Sequence, residues 1–413
     1  MLQSVGIVGT GIAGATVAIK LREHGFEGRI LMFGDEEHHA YDRPSLSKAA
    51  LSDQLDDPVR IFPFGWDREN AIELHTEVTI ARLDLDQRAL ISQNGDRFPV
   101  DRIVLATGVH ARRLTIAGAD LPGVLVLRTW RDMEALRLGL KPGCRLSVIG
   151  GGLVGCEIAT TATKLGAVVT VFEAGPELLE RVLGPTVGKL CRRDLEAMGV
   201  EIKLDARVSA IEGSERVTAV RTADGTLTEA DLVLVSIGGV PADELAAAAG
   251  LLCRNGIVVN GEGRTSVDTV FAAGDVANWP LSSGSSRSLE TYLNAQAQAE
   301  CVASALMGEE SHSPQLPKGW TEIAGRKIQV VGDIVGPGTT AIRQQPDSPS
   351  LLMFRTDENG ILAAALAIDA PGDFAAAMRL VSSGYQPQDG ELADASVALR
   401  DLVRKSREKE RIK

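Results

Sequence analysis

At 413 residues, with 44% apolar and only 4% aromatic residues, the chain is long enough for two or three domains, each with its own core. Its 55 acidic against 43 basic side chains, a formal charge of −12, exclude a broad nucleic-acid surface. No run reaches the ~18 apolar residues of a membrane helix, and no basic region precedes the first apolar run. The five cysteines stand apart from one another and from histidines at metal spacing, which points to reduced thiols, a cytoplasmic location and no metal site.

The apolar run Val5-Gly6-Ile7-Val8 leads into Gly9-Thr10-Gly11-Ile12-Ala13-Gly14, and Ala15 to Leu21 continues with helical composition. Strand, tight turn and helix with glycines spaced G-x-G-x-x-G form a dinucleotide cradle. The first glycine makes the turn, the second admits a pyrophosphate, and the third lets helix and strand pack closely. Arg29 to Phe33 reads as the second strand, and Asp35 or Glu36 follows where a Rossmann unit holds the ribose of an adenine nucleotide. The polar segment from Tyr41 to Lys48 reads as a functional loop. Glu77 to Ile80 and Ala89 to Ser92 read as strands of a small antiparallel insertion, with a turn at Asn94-Gly95-Asp96. Arg102 to Gly108 then reads as a buried strand, ending in glycine, that returns to the central sheet.

A second copy follows. Arg145 to Ile149 leads into Gly150-Gly151-Gly152-Leu153-Val154-Gly155, Val168 to Phe172 ends in Glu173, and Leu232 to Gly238 repeats the strand that closes on Gly108. This second unit is interrupted by short strands within Glu201 to Thr228, with a turn at Ala223-Asp224-Gly225. A later strand runs into Gly274-Asp275 and places a carboxylate at the carboxyl end of a sheet. Ser311, Ser313, Pro314, Pro317 and Gly319 mark a boundary. Lys327 to Val331, Leu351 to Phe354 and Ile361 to Ile368 read as strands of a third, α+β domain, and Arg400 to Lys413 as an exposed helix.

Together, the loop from Tyr41 to Lys48, Leu105-Ala106-Thr107-Gly108, Leu127-Arg128-Thr129, Val148 to Glu157 and Thr265 to Asp275 resemble the FAD-dependent, NADH-using ferredoxin reductases of bacterial Rieske-type oxygenase and P450 systems. The resemblance implies an α/β protein of glutathione reductase-like architecture, with two Rossmann-like domains and an α+β C-terminal domain. FAD would occupy residues 1–113 and 240–315, NAD residues 114–239, and residues 316–413 would form the C-terminal domain. It places FAD against Gly9, Gly11, Ala13, Gly14, Asp35, Arg43, Lys48, Val78, Ala106, Thr107, Gly108, Arg128, Gly274, Asp275, Tyr292 and Trp320. NAD falls to Gly150, Gly152, Val154, Gly155, Glu157, Glu173 and Gly238. Lys48 and Glu157, the catalytic pair, are implied to lie near the flavin–nicotinamide contact. This chain has Leu153, Ser45 and Lys318-Gly319-Trp320-Thr321-Glu322 where relatives carry Tyr, Pro and Trp-Phe-Trp-Ser-Asp.

Disulfide reductases of the same architecture carry a C-x-x-x-x-C pair in the loop that here runs from Asp42 to Ser47 without cysteine. What remains is a converter, in which a hydride's two electrons pass from NADH to FAD and leave singly. The implied partner is a 2Fe–2S ferredoxin, and through it a terminal oxygenase of aromatic hydrocarbon catabolism. That ferredoxin is expected near Trp320, in the groove between the FAD and C-terminal domains, with Lys318, Arg326 and Lys327 as basic docking residues. The alternatives are an NADH oxidase or small-acceptor reductase, and an NADH-sensing flavoprotein like apoptosis-inducing factor.

Overall fold

The computed structural model describes residues 2–53, 55–281, 286–310, 316–344 and 348–412. Ser311, Ser313 and Pro314 of the expected boundary lie outside the described residues, while Gly319 belongs to a strand, Lys318–Ile323. The chain forms two compact units. The first comprises Met1–Arg112, Arg128–Trp130 and Gly238–Gln315, and the second Arg113–Leu127, Arg131–Ile237 and Leu316–Lys413.

In the first unit, five parallel strands run in the order Val270–Ala272, Arg102–Leu105, Ser4–Val8, Arg29–Phe33, Ile72–His75. Val5, Ile7, Ile30, Leu31 and Val104 are fully buried. Their near-continuous apolar runs suit strands covered on both faces, as parallel sheets require. The chain leaves strand Ser4–Val8 on one side and returns on the other, so the strand order reverses beside it. Ligands of such sheets sit beyond the carboxyl ends at this switch point. The helices Ile12–Glu23 and Tyr292–Met307 pack against each other over the sheet. The antiparallel insertion has three strands, Ile80–Asp84, Ala89–Ser92 and Arg97–Pro99. Glu77 to Thr79 is not part of it: Glu77 takes a left-handed turn (φ 57°), and the Val78 N–H donates to the Gly34 carbonyl (2.8 Å).

The second unit repeats the parallel sheet, in the order Glu201–Lys203, Val168–Phe172, Arg145–Ile149, Leu232–Val235, Val124–Leu125. Its own antiparallel insertion is Val208–Gly213, Val217–Thr222, Leu227–Glu229. The unit also holds an antiparallel sheet in the order Lys318–Ile323, Arg326–Val331, Leu362–Ile368, Leu351–Thr356, Thr339–Arg343. Its two outer strands escape the sequence reading because they alternate or leave one face exposed. In Lys318–Ile323 every second residue is buried, from Gly319 to Ile323. Two helices, Pro371–Ser382 and Leu399–Ile412, pack on this sheet and on each other. The last helix is not simply exposed, since Leu402 and Val403 join Phe354 and Leu380 in the core.

Candidate nucleotide-binding sites

The first cradle is built by two close approaches and one opening. Gly9 has φ 114°, and a Cβ there would stand 2.2 Å from the Ala106 carbonyl oxygen; one on Gly14 would stand 2.0 Å from the Gly9 oxygen. Only glycine fits either place. Gly11 is different: its Cβ would meet nothing nearer than the Arg43 Nε at 4.0 Å. Gly11 caps the helix Ile12–Glu23 without a side-chain bond, so the helix's opening N–H groups are left for a ligand. A pyrophosphate fits this opening, and a larger residue at position 11 would fill it.

Side chains from distant segments stand around that opening. Both Asp35 and Glu36 follow strand Arg29–Phe33, and their surroundings differ. The Glu36 carboxylate accepts from Arg43 Nη2 (2.8 Å) and from the Tyr41 hydroxyl (2.7 Å), leaving Asp35 as the exposed acid at the strand exit. Arg43 also donates to the Arg128 carbonyl (2.8 Å), and the Trp130 N–H donates to the Tyr41 oxygen (3.0 Å). Burial pushes the Tyr41 hydroxyl well above its ordinary range. Arg128 donates to Asp275 (3.3 Å), and a Cβ on Gly108 would come within 3.0 Å of its Nη2. Burial first, then the nearby Arg43 charge, lowers the Arg128 guanidinium, while Asp275 opposes both.

The remaining expected FAD residues belong to the same unit, except Trp320, which lies in the second. Ala106 is anchored by its N–H to the Val8 carbonyl (2.8 Å), and the Thr107 hydroxyl donates to the Ala242 carbonyl (2.7 Å). The Gly274 N–H donates to Oε1 of the fully buried Gln298 (2.8 Å), and a Gly274 Cβ would crowd Ala13 at 2.8 Å. Lys48 Nζ donates to the Pro44 carbonyl and the Ser47 hydroxyl, both at 3.3 Å. Burial raises the Asp42 carboxyl against the pull of Lys48, and raises the Tyr292 hydroxyl, with Asp42 adding to the effect. Tyr41 and Gln298 join this set of candidate residues through their hydrogen bonds; Tyr41 belongs to the loop Tyr41 to Lys48, whereas nothing in the sequence signals Gln298.

The second cradle repeats the first atom for atom in its glycines. Gly150 has φ 109°, its Cβ would stand 2.2 Å from the Ser236 oxygen, and that of Gly155 2.1 Å from the Gly150 oxygen. Gly152 caps the helix Leu153–Lys164 without a side-chain bond, and nothing lies within 4 Å of its Cβ position. Glu173 accepts from the N–H groups of Gly151 and Gly175, both at 2.7 Å. Val154 is 39% exposed, whereas Glu157 is 7% exposed and accepts from the Thr321 hydroxyl at 2.6 Å. Glu177 is buried against Arg192 (3.1 Å), a cation brought from the helix Pro185–Ala197 and further neutralised by Glu196. Gly238 belongs to the first unit, where its carbonyl accepts from the Arg112 N–H (2.9 Å).

On the C-terminal sheet, Trp320 is 42% exposed, and Lys318 and Lys327 are exposed. Arg326 does not join them as a docking cation, because Asp194 (2.8 Å) and Asp369 (3.3 Å) hold its guanidinium. Among the described residues no helix is long and apolar enough to cross a membrane.

Two dinucleotide cradles of one build, each at the carboxyl edge of its own parallel sheet, define a two-nucleotide oxidoreductase. The family described as pyridine nucleotide-disulphide oxidoreductase matches residues 3–299, and the reductase C-terminal family matches residues 319–403. The chain belongs to the FAD-dependent NADH:ferredoxin reductase branch of the pyridine nucleotide-disulphide oxidoreductases, as its motifs led us to expect. It is 46% identical over 404 residues to the biphenyl dioxygenase system ferredoxin–NAD(+) reductase component of Paraburkholderia xenovorans (strain LB400), covering 98% of this chain and 99% of that one. Against the benzene 1,2-dioxygenase system ferredoxin–NAD(+) reductase subunit of Pseudomonas putida, identity is 47% over 404 residues, covering 98% of each. The ferredoxin reductase for the CYP199A2 system from Rhodopseudomonas palustris superposes with a TM-score of 0.93 at 32% identity, covering 97% of this chain and all of that one. The covalent putidaredoxin reductase–putidaredoxin complex gives 0.94 at 31% identity, covering 98% and 99%. FAD and NAD(H) are the cofactors of this family.

Proposed function

We propose that this chain is an NADH-dependent ferredoxin reductase whose 2Fe–2S ferredoxin feeds a Rieske-type ring-hydroxylating oxygenase. The observation that carries the reading is the pair of matched cradles in a chain with no cysteine in residues 42–47. Full-length relatives named as dioxygenase reductase components support it. When bound, FAD supplies the exchange between the paired electrons of NADH and the single electrons an iron–sulfur protein accepts.

The chain's own part is positioning and charge. Gly9, Gly11, Gly14 and Ala13 receive the FAD pyrophosphate at the helix start, with Arg43 as the nearest cation, and Asp35 takes the ribose. Val78, Ala106, Thr107, Gly108, Arg128, Gly274, Asp275 and Tyr292 line the rest, and Lys48 contributes positive charge. In the second cradle Gly150, Gly152, Val154 and Gly155 receive NADH, Glu173 its adenine-side ribose, and Glu157 the nicotinamide end. We further propose that residues 1–113 with 240–315, residues 114–239 and residues 316–413 act as FAD, NAD and C-terminal domains. Five free cysteines, far apart in sequence, support a cytoplasmic location.

The ferredoxin docks on the surface carrying Trp320, Lys318 and Lys327, the last two being exposed cations on an acidic chain. In reconstitution with a 2Fe–2S ferredoxin of a dioxygenase system, electrons should pass to ferredoxin far faster than to oxygen. Charge reversal at Lys318 and Lys327 should lower the ferredoxin-dependent rate at low salt and leave NADH-to-ferricyanide turnover intact. Oxygen and ferredoxin rates of equal size would refute the reductase reading, and insensitivity to charge reversal would move the docking face elsewhere.

A further inference from the structure

We propose that Thr321 is a positioning residue for Glu157, so that the C-terminal sheet takes part in shaping the NADH site. The inference rests on the reading of Glu157 as a residue of the nicotinamide pocket. Glu157 lies in the second turn of the helix Leu153–Lys164, directly after the cradle glycines, and is 7% exposed. A carboxylate taken out of water needs donors to hold it. One donor comes from 164 residues away: the Thr321 hydroxyl, itself 2% exposed, donates to Glu157 Oε1 at 2.6 Å. That is the short distance of a charge-assisted bond.

The donor is itself fixed. Thr321 sits in a paired strand, opposite Ile328, and its β-branched side chain has little rotamer freedom. A second tie lies just past the end of the strand, where the N–H of Ala324, in the turn that follows, donates to the Thr160 hydroxyl oxygen (3.0 Å). Glu157 and Thr160 are three apart and share a helix face. The helix is therefore tied both to the strand and to the turn that follows it, and the carboxylate cannot swing without breaking the bond to Thr321. The hydroxyl is what the position needs, because valine would fill the same volume and donate nothing. Trp320 and Thr321 point to opposite faces of the strand, so the exposed aromatic and the buried donor are adjacent in sequence yet separate in role.

The test uses the FAD-loaded protein and its Thr321→Val, Thr321→Ser, Glu157→Gln and Glu157→Gln/Thr321→Val variants. Calorimetric titration with NAD+ gives affinity, NADH:ferricyanide kinetics give kcat and KM, and thermal unfolding reports stability. Thr321→Val should weaken NAD+ binding and lower kcat/KM for NADH by about tenfold, the scale of one charge-assisted bond. Thr321→Ser should restore most of both, and Thr321→Val should add nothing once Glu157→Gln is present. Normal binding and kinetics in Thr321→Val, with Glu157→Gln impaired, would overturn the positioning role and leave Glu157 in the pocket. Equal losses in the valine and serine variants with a lowered Tm would show a structural role only and overturn it too. A Glu157→Gln variant indistinguishable from the parent would remove the reading of Glu157 itself, and the proposal with it.

Discussion

The two cradles share their glycine geometry almost to the tenth of an ångström, yet what surrounds them differs. In the first, the opening at Gly11 looks onto the Arg43 guanidinium, which is steadied by Glu36 and by the Arg128 carbonyl. In the second, the opening at Gly152 meets nothing within 4 Å. Their acids differ in the opposite sense: Asp35 is exposed, whereas Glu173 is held by two backbone N–H groups. A cation beside a pyrophosphate adds charge-assisted bonds that slow release. A pre-set carboxylate selects a ribose but adds little grip. The same turn can thus retain a prosthetic group at one site and exchange a coenzyme at the other.

The largest effect expected is an asymmetry between Gly11→Val and Gly152→Val. The first should give protein without flavin, read from the flavin-to-protein absorbance ratio after purification. The second should keep its flavin and raise the KM for NADH. If Gly11→Val purified with full flavin, the assignment of the first cradle to FAD would fail.

Next in size is Arg43→Ala. Loss of hydrogen bonds to a charged group costs about 1.5–3 kcal/mol, so FAD affinity should fall roughly tenfold to a hundredfold. A flavin-release titration measures this directly. Unchanged affinity would mean that Arg43 serves only the Glu36–Tyr41 network, and that the contrast between the cradles lies elsewhere.

The smallest effect concerns Glu173. Its carboxylate can accept from ribose hydroxyls and repels a 2′-phosphate, and the one cation beside Glu177, Arg192, is already neutralised. NADH should therefore be preferred over NADPH in kcat/KM, and Glu173→Ala should narrow the gap by several-fold, on the order of one lost charge interaction. Equal use of both coenzymes by the parent protein would contradict the assignment.

The glycine turns were legible because the backbone there tolerates no side chain, so geometry is written directly as residue type. Strands Arg102–Leu105 and Leu232–Val235 were legible because burial on both faces demands unbroken apolar runs. Legibility failed where structure depends on distant partners. Ile72–His75 and Glu201–Lys203 are sheet edges of mixed polarity, recognisable only by the strand each one pairs with. The engagement of Glu36 depends on where Arg43 and Tyr41 point, and the neutralised Arg192 lies fifteen residues from Glu177. Thr321 and Glu157 are 164 residues apart, and no local pattern announces their bond.

The discontinuity of the first unit has a consequence for biosynthesis. Its parallel sheet begins with Ser4–Val8 but lacks a flanking strand until Val270–Ala272 has been made, and the helix Tyr292–Met307 comes later still. The parallel sheet of the second unit is complete once residue 235 emerges. The cradle that comes second in the sequence is therefore the first whose sheet can close on the ribosome. The sheet of the first cradle must wait for its outer strand, beside Arg102–Leu105, until Ala272 of the 413 residues has been translated.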